Sequence, residues 1–329
     1  MKRAAITGAT GMIGSALARC LSAKGIEVLA IVNPGSPRLH EGAADGSPRV
    51  SVLPCAGAGY AALAEELSAG TGPRADVFYH FAWSGTLGAA RADESRQKAS
   101  VQMAADAVKL AHALGCTRFV FAGSQAEYGV LDGAFSASTP CHPVTAYGTA
   151  KLAAERQTRE LVHKLGMEHI SCRIGSVYGP GDNDGTVLMQ AIRHALEGQP
   201  FACTQGEQLW DHLYCGDAAE AFSLVGERGV PGAVYPVGSG AVEPLREHIR
   251  LACEAARPGF EPDFGALPYP EGQVMYLRAD IAPLRKDTGF EPRVPFSEGI
   301  GRTVEWCRAV RAAASGKARE EREGCDADA

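Results

Sequence analysis

Long apolar runs are missing from this 329-residue chain, and no stretch reaches the roughly 18 consecutive apolar residues that a membrane span needs. Lys/Arg-rich runs are also missing. With 32 basic against 38 acidic residues the net charge is −6, which argues against a nucleic-acid partner. The ten cysteines lack the paired C-x-x-C spacing of a zinc site, and the nine histidines form no H-x-x-x-H grouping, so no metal is expected. Most cysteines sit in apolar runs, as in Ile170-Ser171-Cys172-Arg173, where thiols act as small hydrophobes. A chain of this length needs no disulfide framework, and all ten are expected to be reduced. The opening Met1-Lys2-Arg3-Ala4-Ala5-Ile6-Thr7-Gly8 offers no apolar core of a leader peptide before glycine punctuation begins. A soluble, cytoplasmic protein is therefore expected.

The first half alternates short β-rich runs with helical stretches. Strands are expected at 3–6, 27–32, 49–53, 77–81, 118–122 and 168–173, and helices at 14–24, 60–67, 101–114 and 147–165. Such alternation implies parallel strands with helices on both faces. The runs Val77-Phe78-Tyr79-His80-Phe81 and Phe119-Val120-Phe121-Ala122 are apolar nearly throughout, as a strand covered on both sides requires. The fold class is thus α/β, a doubly wound parallel (Rossmann) sheet with a smaller mixed α/β substrate domain. The rhythm changes after Tyr178-Gly179-Pro180-Gly181, and proline becomes frequent from Pro258 to Pro295. The dinucleotide-binding domain is placed at 1–178 and 212–240 and the substrate domain at 179–211 and 241–312. Residues 313–329, charged and small, read as a disordered tail.

Gly8-Ala9-Thr10-Gly11-Met12-Ile13-Gly14 closes the first strand and opens the first helix. Gly8 permits a tight turn, Gly11 lets backbone approach a pyrophosphate, and Gly14 allows close helix packing, while the helix N-terminus offers free N–H groups to phosphates. An acidic residue ending the second strand would accept a ribose 2′-OH and repel a 2′-phosphate. The strand instead runs into Asn33-Pro34-Gly35-Ser36-Pro37-Arg38, where Ser36 and Arg38 suit a 2′-phosphate. NADP(H) is favoured on this ground, with NAD(H) possible.

Tyr147 and Lys151 stand four apart, on one face of a helix. A phenol ionises near pH ~10, and a neighbouring ammonium draws that value toward the operating range, so Tyr147 is a candidate acid/base. Phe121-Ala122-Gly123-Ser124 ends a buried strand in a hydroxyl that can hold a substrate oxygen beside the phenol. His80 reads as a satisfied strand residue, Asp217 as a helix cap.

Gly8/Gly11/Gly14, Ser124 with Tyr128-Gly129, Tyr147-x-x-x-Lys151 and Arg173-Ile174-Gly175-Ser176-Val177-Tyr178-Gly179-Pro180-Gly181 occur in that order. Together they resemble an extended short-chain dehydrogenase/reductase of the NAD-dependent epimerase/dehydratase family, from about residue 3 to about residue 308. The resemblance implies that Ser124 polarises a substrate carbonyl, Tyr147 exchanges its proton, and Lys151 lowers the tyrosine pKa while holding the nicotinamide ribose. It also implies that Phe81-Ala82-Trp83, Gly175 and Val177 line the cofactor together with Gly8, Thr10, Gly11, Met12, Ile13, Gly14, Asn33, Ser36 and Arg38. Gln125 and Asn183 would line the substrate pocket, and a homodimer would form through the helices at 101–114 and 147–165.

Departures from the family pattern narrow the reaction. Sugar dehydratases of the family carry Asp-Glu directly after the Ser/Thr, whereas this chain has Gln125-Ala126; Glu127, next along, would turn away in an extended segment. Ser100 stands for a frequent Asn, and Trp210 and Pro270 stand where the family has arginines that grip a diphosphate. Arg278, Arg193 or backbone N–H groups would have to serve instead, and Trp210 would stack on a base or sugar. The string Gly123–Gly129 resembles the 4-ketoreductases. The leading expectation is an NADPH-dependent ketoreductase of a nucleotide-activated 4-keto-6-deoxyhexose, transferring hydride with Tyr147 as acid/base. The alternatives are an NAD-dependent nucleotide-sugar 4-epimerase and, from another class, a cofactor-binding regulatory protein without turnover.

Overall fold

A computed structural model describes residues 1–36, 47–70 and 72–327, with side chains as far as residue 313. Arg38, expected at the cofactor, lies outside the described residues. The first half runs β1 (Arg3–Thr7), α1 (Met12–Ala23), β2 (Glu27–Val32), β3 (Val50–Pro54), α2 (Tyr60–Ser68), β4 (Val77–His80), α3 (Glu94–Ala113), β5 (Arg118–Ser124), α4 (Ala146–Lys164) and β6 (Glu168–Ile174). There follow β7 (Ser176–Tyr178), α5 (Val187–Glu197), β8 (Ala202–Cys203), β9 (Leu209–Trp210), β10 (His212–Tyr214), α6 (Cys215–Arg228) and β11 (Val234–Val237). The chain closes with β12 (Glu243–Pro244), α7 (Leu245–Ala256), β13 (Asp263–Phe264), β14 (Tyr276–Leu277), α8 (Ala282–Thr288) and α9 (Phe296–Ala327).

Seven parallel strands form the main sheet in the order β11-β6-β5-β4-β1-β2-β3. Alternate residues feed two cores, as a doubly covered sheet requires. Ile6, Tyr79, Val120 and Ala122 pack with Leu17, Leu21, Phe222 and Val225 of α1 and α6. Ala5, Phe78, Phe119 and Phe121 pack with Tyr60, Ala104, Val108 and Val162 of α2, α3 and α4. Each such fully buried Phe contributes roughly 1.5–3 kcal/mol. α6 returns to pack on α1, and β11 pairs with β6. The second half adds small sheets: β9 lies between β12 and β14, β8 pairs with β13, and β7 with β10. Helix α7 packs against both α5 and α9.

Two expectations need correction. The helix expected at 101 begins at Glu94, because Asp93 caps it by accepting from the Arg96 N–H at 3.0 Å, and its first turns are polar. Asp217 does not cap α6; its Oδ2 accepts from the backbone N–H groups of Arg293 and Val294 (3.0 and 2.9 Å), pinning the approach to α9. The backbone of α9 extends through residues 313–327.

Candidate active site

The carboxyl ends of β1, β4, β5 and β6 open onto one cleft of about 360 Å³. The sheet order reverses between β1 and β4, the place where such folds bind ligands. Gly8 makes the turn out of β1 with φ +69°, and a Cβ there would stand 2.7 Å from the Ala82 nitrogen. A Cβ on Gly14 would collide with the Gly8 carbonyl, so α1 sits directly on the turn. Gly11 caps α1 without a side-chain bond, and its first turn holds no acidic residue. Gly8, Gly11, Met12, Ile13 and Gly14 line the cleft with Phe81, Trp83, Gly175 and Val177. That glycine cradle and the free N–H groups of α1 fit a dinucleotide pyrophosphate.

Not every expected cofactor residue reaches the cleft wall. Thr10 and Ser36 lie outside it and share a hydroxyl contact at 3.2 Å, and Ala82 backs the Gly8 turn. Asn33 Oδ1 accepts from the Gly35 N–H at 3.0 Å. No carboxylate stands among residues 33–36.

Ser124, Gln125, Tyr147, Lys151 and Asn183 line the same cleft. Ser124 is held at the end of β5 by a reciprocal cap: its Oγ accepts from the Ala126 N–H at 3.2 Å, and its own N–H donates to Glu127 Oε1 at 2.7 Å. Glu127 is thus turned from the cleft by a 3-10 turn rather than by an extended strand, and its other oxygen accepts from Arg173 Nε at 2.7 Å, both side chains buried. The neighbouring carboxylate raises the Arg173 pKa, keeping that guanidinium charged.

Thr145 caps α4 by accepting from the Gly148 N–H, and a Cβ on Gly148 would collide with the Ala126 carbonyl. This close approach sets Tyr147 beside Ser124. Burial pushes the Tyr147 phenol up; hydrogen bonding with Ser124 and the charge of Arg91 pull it down, and Glu127 adds to the rise. Lys151, four residues further along α4, lines the same cleft. Its Nζ donates to the Ala122 carbonyl at 2.8 Å and lies 3.9 Å from the centre of the Trp83 ring, against 5.9 Å from that of Tyr147. Burial lowers its pKa to about 7, while Glu127 acts to raise it.

His80 is only half satisfied. Its Nδ1 contacts Thr7 Oγ1 at 2.9 Å, Nε2 has no partner, and burial lowers its pKa to about 3. Asp182 accepts from Asn183 N–H and Thr186 Oγ1 ahead of α5. Trp210 lines not the cleft but an adjoining cavity of about 480 Å³, which shares Val177, Asp182 and Thr186 with it. Among the described residues lining that cavity none is Lys or Arg. Arg193 and Arg278 line neither space, and Arg278 Nε donates to the Gly240 carbonyl. Sequence reasoning missed Arg91, Thr86 and Leu87, which close the cleft from the loop after β4. No run of apolar residues or motif marks that loop.

Fold and cleft together define a dinucleotide-binding α/β protein. The chain belongs to the NAD dependent epimerase/dehydratase family, whose pattern it matches over residues 4–238. It is 28% identical over 202 residues to a dTDP-glucose 4,6-dehydratase of Xanthomonas campestris pv. campestris, covering 57% of each chain. It is also 28% identical over 216 residues to the dTDP-D-glucose 4,6-dehydratase of Homo sapiens, covering 61% of this chain and 59% of the other. The chain thus spans under two thirds of the length of these relatives. Among solved structures, a UDP-glucose 4-epimerase of Thermotoga maritima with UDP-glucose superposes with a TM-score of 0.81 at 21% identity, covering 94% of this chain and 99% of that one. A dTDP-glucose 4,6-dehydratase of Streptomyces venezuelae with NAD bound gives 0.80 at 23%, covering 94% and 98%. At these identities the likeness is one of fold. No described helix is long and apolar enough to cross a membrane.

Proposed function

We propose that the protein is an NAD-dependent 4-epimerase of a nucleotide-activated hexose. The observation that carries the reading is the meeting of Ser124, Tyr147 and Lys151 with the Gly8–Gly14 turn in one cleft. When bound, the nicotinamide supplies the acceptor and donor of the hydrogen on the sugar's C4. Ser124 Oγ holds the C4 oxygen, and Tyr147 Oη takes its proton in one direction and returns it in the other. Trp83 and the Ala122 carbonyl hold the Lys151 ammonium within the same cleft. Dehydration is disfavoured although the curated relatives are dehydratases. Ala126 has no proton to give, and both carboxylate oxygens of Glu127 are occupied beneath the turn. Incubation with UDP- and dTDP-hexoses tests this: a C4 epimer should appear with no net change in nicotinamide absorbance. Conversion to a 4-keto-6-deoxy product would overturn it.

A second reading, an NADPH-dependent 4-ketoreductase, has its own support in residues 33–36, where no carboxylate opposes a 2′-phosphate and the Thr10 and Ser36 hydroxyls meet. Stoichiometric NADPH consumption with a nucleotide-linked 4-keto-6-deoxyhexose would select it. A homodimer through α3 and α4 belongs to either reading, and sedimentation tests it.

A further inference from the structure

Two histidines meet in the wall of the cavity that adjoins the cleft. His212 opens β10 opposite Ser176 of β7, beside the Val177 that faces both cleft and cavity, and it lines the cavity itself. His248, 4% exposed on α7, brings its Nδ1 to 3.0 Å from His212 Nδ1. The rings stand at 87° to each other, and Phe296 packs on both, its centre 4.1 Å from that of His248 and 5.7 Å from that of His212. Behind them lies a third space of about 340 Å³, which both histidines line together with Glu243.

The contact between the rings holds a single proton. Two Nδ1 atoms at hydrogen-bond distance need one N–H and one lone pair, and a neutral imidazole that donates from Nδ1 is bare at Nε2. Burial keeps both rings neutral, lowering the His248 pKa to about 4 and holding His212 well below the usual histidine range. The direction of the bond is set at its far end. Glu243 Oε2 stands 3.7 Å from His248 Nε2, and a carboxylate there favours an N–H on that nitrogen. Arg285 and Arg293, which share that space, have no lone pair to offer. His248 Nδ1 is then the acceptor and His212 Nδ1 the donor. His212 Nε2 is left with its lone pair, and no described residue bonds to it.

We propose that His212 is a specificity-determining residue: its Nε2 lone pair, fixed by His248 and Glu243, receives an O–H or N–H donor on the part of the substrate that extends from the cleft into the adjoining cavity. The nucleotide-hexose reading is needed only for what fills that cavity. With no Lys or Arg among the described lining residues, neutral hydrogen bonds select what enters. A group that carries an acceptor at the same place sets lone pair against lone pair and is rejected.

Histidine-labelled (¹⁵N), cofactor-free protein at neutral pH tests this by long-range proton–nitrogen correlation. His212 should be protonated at Nδ1 and bare at Nε2, with His248 the reverse. A proton on His212 Nε2 overturns the proposal. UDP-glucose or dTDP-glucose, added next, should move the His212 Nε2 resonance toward the protonated range. His212→Phe, which keeps an aromatic ring without the lone pair, should weaken binding of the same compound about tenfold by calorimetry. An unmoved resonance on binding, or undiminished affinity in the variant, also overturns it. If neither compound binds wild-type protein, the nucleotide-hexose reading fails, while the histidine spectrum still decides whether position 212 offers a lone pair.

Discussion

Replacing Lys151 by Met should make the cofactor-free protein more stable, and the gain should vanish in alkali. The lysine is 4% exposed, and burial takes its pKa from an ordinary 10.5 to about 7. The native state therefore binds fewer protons than the unfolded chain between these two values, so wild-type stability rises with pH across that window. Below pH 7 the whole penalty is present; above 10.5 it is gone. A drop of that size corresponds to on the order of 5 kcal/mol. Methionine forfeits the bond to the Ala122 carbonyl and the contact with the Trp83 face, about 1–2 kcal/mol in all. A net gain of roughly 3–4 kcal/mol at pH 6 remains. Urea denaturation of both proteins at pH 6, 8 and 10 reads it directly. The difference should shrink steadily as the pH rises. A variant less stable than wild type at pH 6, or a difference independent of pH, would refute the reasoning that burial strains this ammonium.

Glu127→Gln leaves Arg173 buried without its carboxylate and should cost about 3–5 kcal/mol in the same assay, with part regained in Glu127→Gln/Arg173→Met. Tyr147→Phe should lower turnover by about 10²-fold or more while calorimetry finds cofactor affinity unchanged. Gly14→Ala, which drives a methyl into the Gly8 carbonyl, should weaken dinucleotide binding and lower the melting temperature together. Asn33→Asp should weaken NADP binding by about tenfold through repulsion of the 2′-phosphate, with NAD binding unchanged or tighter by calorimetry.

The main sheet was readable because its strands are short, apolar and separated by amphipathic helices; the expected 27–32 strand coincides with β2 (Glu27–Val32). The trio Ser124, Tyr147 and Lys151 was also readable, since each follows from one element: a strand end, and one face of one helix. What escaped depends on contacts distant in sequence. Arg91 is placed by Gln97, whose amide gathers a loop with no periodicity of its own. Asp217 sits where a cap is plausible, yet its carboxylate bonds backbone some 76 residues later. Lys151 lies one helical turn from Tyr147 as its spacing requires, but Trp83 and the Ala122 carbonyl decide which way its ammonium points.

In the proposed reaction a hydrogen leaves and returns to one sugar carbon beside Tyr147. A nucleotide hexose carrying deuterium at C4, incubated with the holoenzyme in ordinary water, tests it. A C4 epimer that keeps its deuterium is the expected product. Deuterium lost to solvent, or moved to C6 in a dehydrated product, would contradict it.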